Sequence, residues 1–281
     1  MIDAHHHFWG LPNPVDYPWL TDELAAIRRP FGPEDLRPLL EANGGGGTVL
    51  VQTRSSLAES REFLAIAERC GFVAGVVAWV DLTVPDVARQ IGELRAGPGG
   101  GRLVGIRHQV HDEPDPRWLL RDDVLAGLEA VADAGFVYDL LVREPQLPAA
   151  LECARRLPDL AFVIDHLAKP RIARGPADPD WEQAMAPFAD LGNVACKISG
   201  MVTEADWTSW RPVDLAPYVD RVAGWFGDER LLFGSDWPVC LLAADYGTVV
   251  ATARELLADR SPAALAAIFG GNASRIYRLG G

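Results

Sequence analysis

The sequence predicts an α/β protein, a (β/α)8 TIM barrel in a single domain over residues 1–281, and three observations carry that prediction. Short β-branched or apolar runs recur eight times, most of them ending on a polar residue, and amphipathic helical segments fill the intervals. The run starts lie about 33 residues apart, the length of a strand, a helix and two loops. Strict alternation implies a parallel sheet, and eight units in about 250 residues is the arithmetic of a closed barrel. A doubly wound open sheet has the same order, but no G-x-G-x-x-G follows the first strand to favour it.

The first strand runs from Ile2 to His5 and leads into His6, His7, Phe8 and Trp9. Alternation puts Asp3, His5 and His7 on one face and Ile2, Ala4, His6 and Phe8 on the other. Two imidazoles two residues apart on one face can close on a single divalent ion or jointly grip a water and a carbonyl oxygen. A purification-tag scar would be longer and set in linker composition, whereas this triplet lies in an apolar strand pattern. His6 is expected to be structural. Residues 10–32, rich in Pro, Asp and aromatics, form an ordered loop that folds over a site. Gly32-Pro33-Glu34-Asp35 starts a helix, with proline early and acids in the first turn. The Gly44–Gly47 turn lacks the Lys-Ser/Thr ending of a phosphate loop.

The remaining strands are expected at Thr48–Gln52, Phe72–Asp81, Leu103–Gln109, Phe136–Val142, Ala161–His166, Val194–Lys197 and Leu231–Ser235. Helical patterns between them include Leu57–Cys70, Trp118–Ala134, Pro145–Arg156, Trp181–Leu191, Asp214–Phe226 and Tyr246–Asp259, and Pro262–Tyr277 closes the chain.

Composition bounds the function. The chain is 49% hydrophobic and can bury a full core, and no linker divides it. Its net charge of −13 argues against nucleic acid or an anionic membrane as partner. No run has the apolar length of a bilayer span and no secretory pattern opens the chain, so a cytoplasmic location is expected. Cys70, Cys153, Cys196 and Cys240 form no C-x-x-C pair and fall in apolar patterns, which predicts buried reduced thiols.

In a barrel the active site lies at the carboxyl ends of the strands. There the sequence places His5 and His7, Gln52, Trp79 and Asp81, Arg107 and His108, Asp139, Asp165 and His166, Lys197 and Ser199, then Ser235, Asp236 and Trp237. Each residue alone is consistent with a cap or a loop, but together they converge on one rim. Asp236 stands out, because Gly234-Ser235-Asp236 makes a tight turn after an apolar strand and no helix pattern follows until about Tyr246. His166 likewise ends a buried run. His111 has no assignable role.

Asp3 to Trp9, Val104 to Arg107, Phe162 to Pro170, Cys196 to Gly200 and Phe233 to Val239 together resemble signature segments of the amidohydrolase-2 branch of the amidohydrolase superfamily. Within it the chain resembles the group of L-fucono-lactonases, L-rhamnono-lactonases and 2-pyrone-4,6-dicarboxylate lactonase, from Ile2 to about Tyr277. The resemblance implies a (β/α)8 barrel and hydrolysis of a small lactone, with His5 and His7 matching the strand-one pair, His166 the strand-six histidine and Asp236 the aspartate that activates water. Metal-requiring members of the superfamily carry a strand-five histidine and often a strand-four lysine, where this chain has Asp139 and Arg107. A binuclear site is therefore not expected. His5, His7, His166 and Asp236 have the ligand types for one zinc or similar ion, while the lactonase group is thought to include members that work without bound metal.

The expected reaction is ester hydrolysis of a lactone, with Asp236 taking a proton from water and His166, His5 and His7, or a cation they hold, polarising the carbonyl. Gln52, Arg107, Asp139 and Lys197 are the expected hydrogen-bond partners of substrate, and Trp79 and Trp237 its stacking walls. A dicarboxylate needs several converging arginines and only Arg107 is well placed, which favours a neutral sugar lactone such as L-fuconolactone. The alternatives are a metal-dependent decarboxylase or amide hydrolase on the same barrel, and an inactive ligand-binding barrel. The oligomeric state is not legible.

Overall fold

A computed structural model of the chain describes residues 1–11 and 15–280. Eight parallel strands are paired in chain order: β1 (Ile2–His6), β2 (Gly47–Val51), β3 (Val73–Ala78), β4 (Leu103–His108), β5 (Val137–Leu140), β6 (Phe162–Ile164), β7 (Val194–Ile198) and β8 (Leu231–Phe233). The ring closes at its carboxyl end, where His7 N–H donates to Trp237 O at 2.7 Å and Asp236 N–H to His5 O at 2.8 Å. All eight expected strands are present, most of them shorter than their apolar runs.

Helices cover the outside: α1 (Pro33–Ala42), α2 (Leu57–Arg69), α3 (Val87–Ala96), α4 (Asp122–Asp133), α5 (Leu147–Arg156), α6 (Pro179–Met185), α7 (Met201–Glu204), α8 (Pro212–Phe226) and α9 (Tyr246–Leu256). Their starts are fixed locally. Ser56 caps α2 by accepting from Glu59 N–H, Asp35 in α1 reaches back to Gly32 N–H at 2.9 Å, and Asp245 caps α9 through Thr248 N–H at 2.8 Å. In α3 the buried Val87, Ile91 and Leu94 recur at i, i+4 and i+7, so one stripe joins the core. The closing segment is interrupted: α10 (Pro262–Ala266) and α11 (Asn272–Ile276) flank a π turn at Ala267–Gly271.

The core has two parts. One lies between sheet and helices. The other fills the lumen with Ala4, Val49, Val51, Val77, Val137, Val163, Ala195 and Leu232, and with Ala273 and Tyr277 from the chain's last turns. All four cysteines are buried and free. Among the described residues no helix is long and apolar enough to cross a membrane.

One expectation fails at β1. Its pairing with β2 runs Asp3 to Thr48 and then His6 to Leu50, so β1 holds one residue more than its partner. This bulge switches the strand's phase. Ile2 and Ala4 pack with the lumen, Asp3 does not share the histidine face, and His5 and His7 beyond the bulge turn inward. Asp3 ties the seam by accepting from His5 N–H at 3.1 Å and Ser235 N–H at 2.8 Å. His6 faces outward as expected, with Nε2 2.8 Å from Thr48 Oγ1.

Candidate active site

Four side chains meet at the barrel's mouth. His5 Nε2 lies 3.2 Å from His7 Nε2 and 3.8 Å from Asp236 Oδ1, and the same Oδ1 is 3.4 Å from His7 Nε2 and 3.8 Å from His166 Nε2. These are His5, His7, His166 and Asp236, and all four are buried. Donor atoms bound to one tetrahedral zinc at ordinary bond lengths lie about 3.3 Å apart, so this spacing fits a single divalent ion. His5, His166 and Asp236 each offer a donor atom, all within 4.8 Å of one another.

Local backbone sets these positions. Asp236 sits at φ 58°, and His166, Leu167, Ala168 and Lys169 run at φ 53°, 54°, 57° and 54°. A left-handed turn of four non-glycine residues costs about 1–2 kcal/mol per residue, and such strain collects at functional sites. Trp181 braces the turn by donating to Leu167 O at 2.7 Å, and Lys169 pairs with Glu204 at 2.6 Å. The turn sends His166 inward, where Nδ1 meets Ser199 Oγ at 2.9 Å. Two glycines make room. A Cβ on Gly200, at φ +62°, would lie 2.6 Å from His166 Nδ1, and one on Gly234 would lie 2.7 Å from His5 Cβ.

Beneath the four lies an enclosed ionic layer. Lys197 Nζ is 2.6 Å from Asp139, 2.9 Å from Asp165 Oδ1 and 3.1 Å from His5 Nδ1. Arg107 reaches Asp165 Oδ2 at 2.9 Å, lies 3.3 Å from His5 Nε2 and donates to Gln52 O. Tyr277, rising from the chain's last turns, donates to Asp139 at 2.8 Å. Sequence reasoning gave Asp165 and Tyr277 no role. Only a buried aspartate after a strand hinted at the first, and nothing local hinted at the second.

The expected substrate contacts divide accordingly. Asp139 and Lys197 are fully enclosed and satisfy one another, so the structure seats them behind His5 and not at the mouth. Trp237 is likewise no open wall, because its ring packs edge-on against Phe8 and Phe31. Trp79 is half-buried and donates to His108 Nδ1. His108 stacks on Trp118 and contacts Glu113 at 2.7 Å. Gln52 donates to Arg107 O and keeps a buried Oε1 without a partner. His111 contacts Asp112.

Residues 12–14 of the loop expected to fold over the site lie outside the described residues. Its other residues reach the rim, where Arg54 pairs with Asp16 at 2.7 Å and lies over Tyr17. A cavity of about 470 Å³ opens there, at the carboxyl ends of β2 and β4, lined by Trp19, Arg54, Ser55, Gln109 and Asp112 among others. None of these five was singled out from sequence, since a loop's depth over a barrel leaves no periodic signal.

Burial favours neutral His5 and His166, while Asp236 beside them is held as a carboxylate. Burial pushes His166 down to about 4 against the pull of Asp236, and burial keeps His5 well below its ordinary range despite Asp165. Burial alone would raise Asp236, but His166 and His7 hold it below its usual value. Asp139 is pushed up to about 6 by burial, with Lys197 opposing. The enclosed carboxylates Asp139, Asp165 and Asp236 thus face two cations, Lys197 and Arg107, and the surplus negative charge suits a divalent ion. Asp165 Oδ1, held by Lys197 at 2.9 Å and 3.2 Å from His5 Nδ1, backs the imidazole nearest that charge.

Comparison with known proteins agrees with this geometry. An L-fucono-1,5-lactonase of Burkholderia ambifaria is 42% identical over 285 residues, covering 99% of this chain and 95% of that protein. An L-fucono-1,5-lactonase of Burkholderia multivorans is 38% identical, covering 99% and 96%. The crystal structure of an amidohydrolase from Burkholderia multivorans with bound zinc superposes with a TM-score of 0.93 at 37% identity, covering 99% of both chains. The sequence model of the family described as Amidohydrolase matches residues 2–279, and the chain belongs to that family.

Proposed function

We propose that the protein is a lactonase that opens a six-membered sugar lactone of the L-fucono-1,5-lactone kind by attack of water. The observation that carries the reading is the ionised Asp236 carboxylate held 3.4–3.8 Å from three imidazole Nε2 atoms at the mouth of the barrel. Full-length similarity to proteins named L-fucono-1,5-lactonase supports the substrate class.

Asp236 accepts a proton from the attacking water as its oxygen bonds to the lactone carbonyl carbon. His166, whose Nδ1 can accept from Ser199 Oγ–H, flanks the same point and donates from Nε2 to the carbonyl oxygen on which negative charge develops. His7, its hydrogen held by Val51 O, presents a lone pair there that suits a cation. When the ring C–O bond breaks, Asp236 returns its proton to the departing alkoxide, and the new carboxylic acid loses its own proton to solvent. Enclosure keeps His5 and His166 neutral, so they can hydrogen-bond or ligate without competing for that proton. His5, His7, His166 and Asp236 would hold a divalent ion, which when bound supplies Lewis-acid polarisation of the carbonyl. Sugar hydroxyls suit the polar rim of Arg54, Ser55, Gln109 and Asp112, with Trp19 as the stacking face.

The test is proton release on mixing purified protein with L-fucono-1,5-lactone and a panel of other aldonolactones, run with and without chelator. Turnover of a 1,5-lactone is expected, and failure on every lactone overturns the reading. Loss of rate with chelator and its return with zinc are the results expected of a resident ion.

A further inference from the structure

Two groups compete for one nitrogen of His5. Its Nδ1 lies 3.1 Å from Lys197 Nζ and 3.2 Å from Asp165 Oδ1, the first able only to donate and the second, ionised, only to accept. The contact with Lys197 is directed as a hydrogen bond, whereas Asp165 Oδ1 meets His5 as an ion-pair contact and already holds the Lys197 ammonium at 2.9 Å. The neighbouring imidazole agrees with the first arrangement. His7 Nδ1 is 2.8 Å from the carbonyl of Val51, so it carries its hydrogen there and leaves Nε2 as an acceptor. His5 Nε2 is 3.2 Å from that acceptor. One direction of donation that these contacts allow runs Lys197 to His5, His5 to His7 and His7 to Val51. Arg107, 3.3 Å from His5 Nε2 and able only to donate, favours the opposite tautomer. With its hydrogen on Nε2, His5 is not a ligand.

We propose that His5 is a tautomeric switch between a relay form and a ligand form. In the relay form Nε2 carries the hydrogen and donates to His7. In the ligand form that proton has left Nε2 and one has arrived on Nδ1, where Asp165 Oδ1 accepts it, so the imidazole stays neutral and its Nε2 lone pair is free for a divalent cation. Lys197 keeps its hydrogens and retains Asp139 and Asp165 as partners in both forms. Arg107, 3.3 Å from Nε2, is held by Asp165 Oδ2 at 2.9 Å and completes the second arrangement. Lys197 and Asp165 are positioning residues in this scheme, since they act only through His5. The inference rests on the reading of His5 as a ligand in the proposed site and is independent of substrate.

The experiment is nitrogen NMR of 15N-histidine-labelled full-length protein, stripped of metal and then titrated with zinc, with His5 assigned from a His5→Gln variant. Protonation at Nε2 without metal and at Nδ1 with zinc is expected. Protonation at Nδ1 in the metal-free protein overturns the switch, as does zinc that leaves the His5 signals unmoved. Zinc affinity gives a second readout. Asp165→Asn is expected to weaken it about 10–100-fold, and Lys197→Met to tighten it about tenfold, the scale typical of groups behind a ligand. Unchanged or weaker binding by Lys197→Met overturns the competition, and if that variant does not fold the wild-type spectra decide. A protein that shows both spectra yet turns over no lactone removes the lactonase reading alone, whereas an active protein with Nδ1 protonated throughout removes the switch alone.

Discussion

Four consecutive strands carry an apolar or small residue and, two positions on, a charged one: Gly105 and Arg107, Val137 and Asp139, Val163 and Asp165, Ala195 and Lys197. Both sets point into the lumen, because side chains two apart share a face. The lower set packs by volume on Leu232 and Ala273. The upper set is held by ion pairs and hydrogen bonds among Lys197, Asp139, Asp165 and Arg107. One strand geometry thus supports two chemistries at two depths, and damage to each should register differently: as lost stability below, and as lost turnover at the mouth above.

The sharpest separation is expected from Asp236→Asn, which removes the acid–base group and keeps the shape. Lactone turnover should fall about 10²–10⁴-fold while the thermal unfolding midpoint stays level or rises, and a kcat near wild type would sink the role given to Asp236. Leu232→Ala is the converse. It opens a hole in the lower layer and should cost about 2–5 kcal/mol in denaturant unfolding, with kcat within a few-fold of wild type; a large kcat loss at full stability would erase the division between layers.

Acidification probes both layers through buried titratable groups. In the metal-free protein burial holds His6 at about 3, His166 at about 4 and His5 well below 6.5, so they stay neutral while the unfolded chain's imidazoles take up protons. The unfolded state then binds more protons, and stability falls as pH drops below 6.5. Asp3 and Asp139, each pushed up to about 6 by burial, act with the opposite sign between 6 and 3.8, where the folded state holds the protons. Three groups against two leave a net loss that approaches about 1.4 kcal/mol per pH unit between about pH 6 and 5. Thermal melts across this range should show the midpoint falling, and a midpoint that climbs on acidification contradicts neutral buried imidazoles.

Tyr277→Phe tests the join between layers and should have the smallest effect. Asp139 loses one hydrogen-bond donor and keeps Lys197, which costs about 1–2 kcal/mol. KM should stay unchanged, since Tyr277 is buried beneath the site; a shifted KM would mean that the lower layer reaches the substrate.

Much of this was legible in the sequence because it is local. Strand runs, their spacing and the polar residues ending them are read from neighbours along the chain, and they led to His5, His7, His166 and Asp236. Alternation gives face and not depth, however, so Asp139 and Lys197 looked like substrate contacts when they satisfy each other one layer down. The bulge in β1 depends on pairing with β2 and on the seam to β8, which no window around Asp3 contains. The left-handed turn at His166–Lys169 is held by Trp181, and Tyr277 meets Asp139 from the far end of the chain; both are tertiary facts.

The seam between β1 and β8 has a kinetic side. His5 and Asp236 meet across more than two hundred intervening positions, so the amino-terminal strand emerges from the ribosome long before its last neighbour exists. Until then its outer edge has unpaired backbone groups open to other chains. The closing of β1 on β8 is therefore the last strand pairing the barrel can make, and it fixes when the open edge is lost.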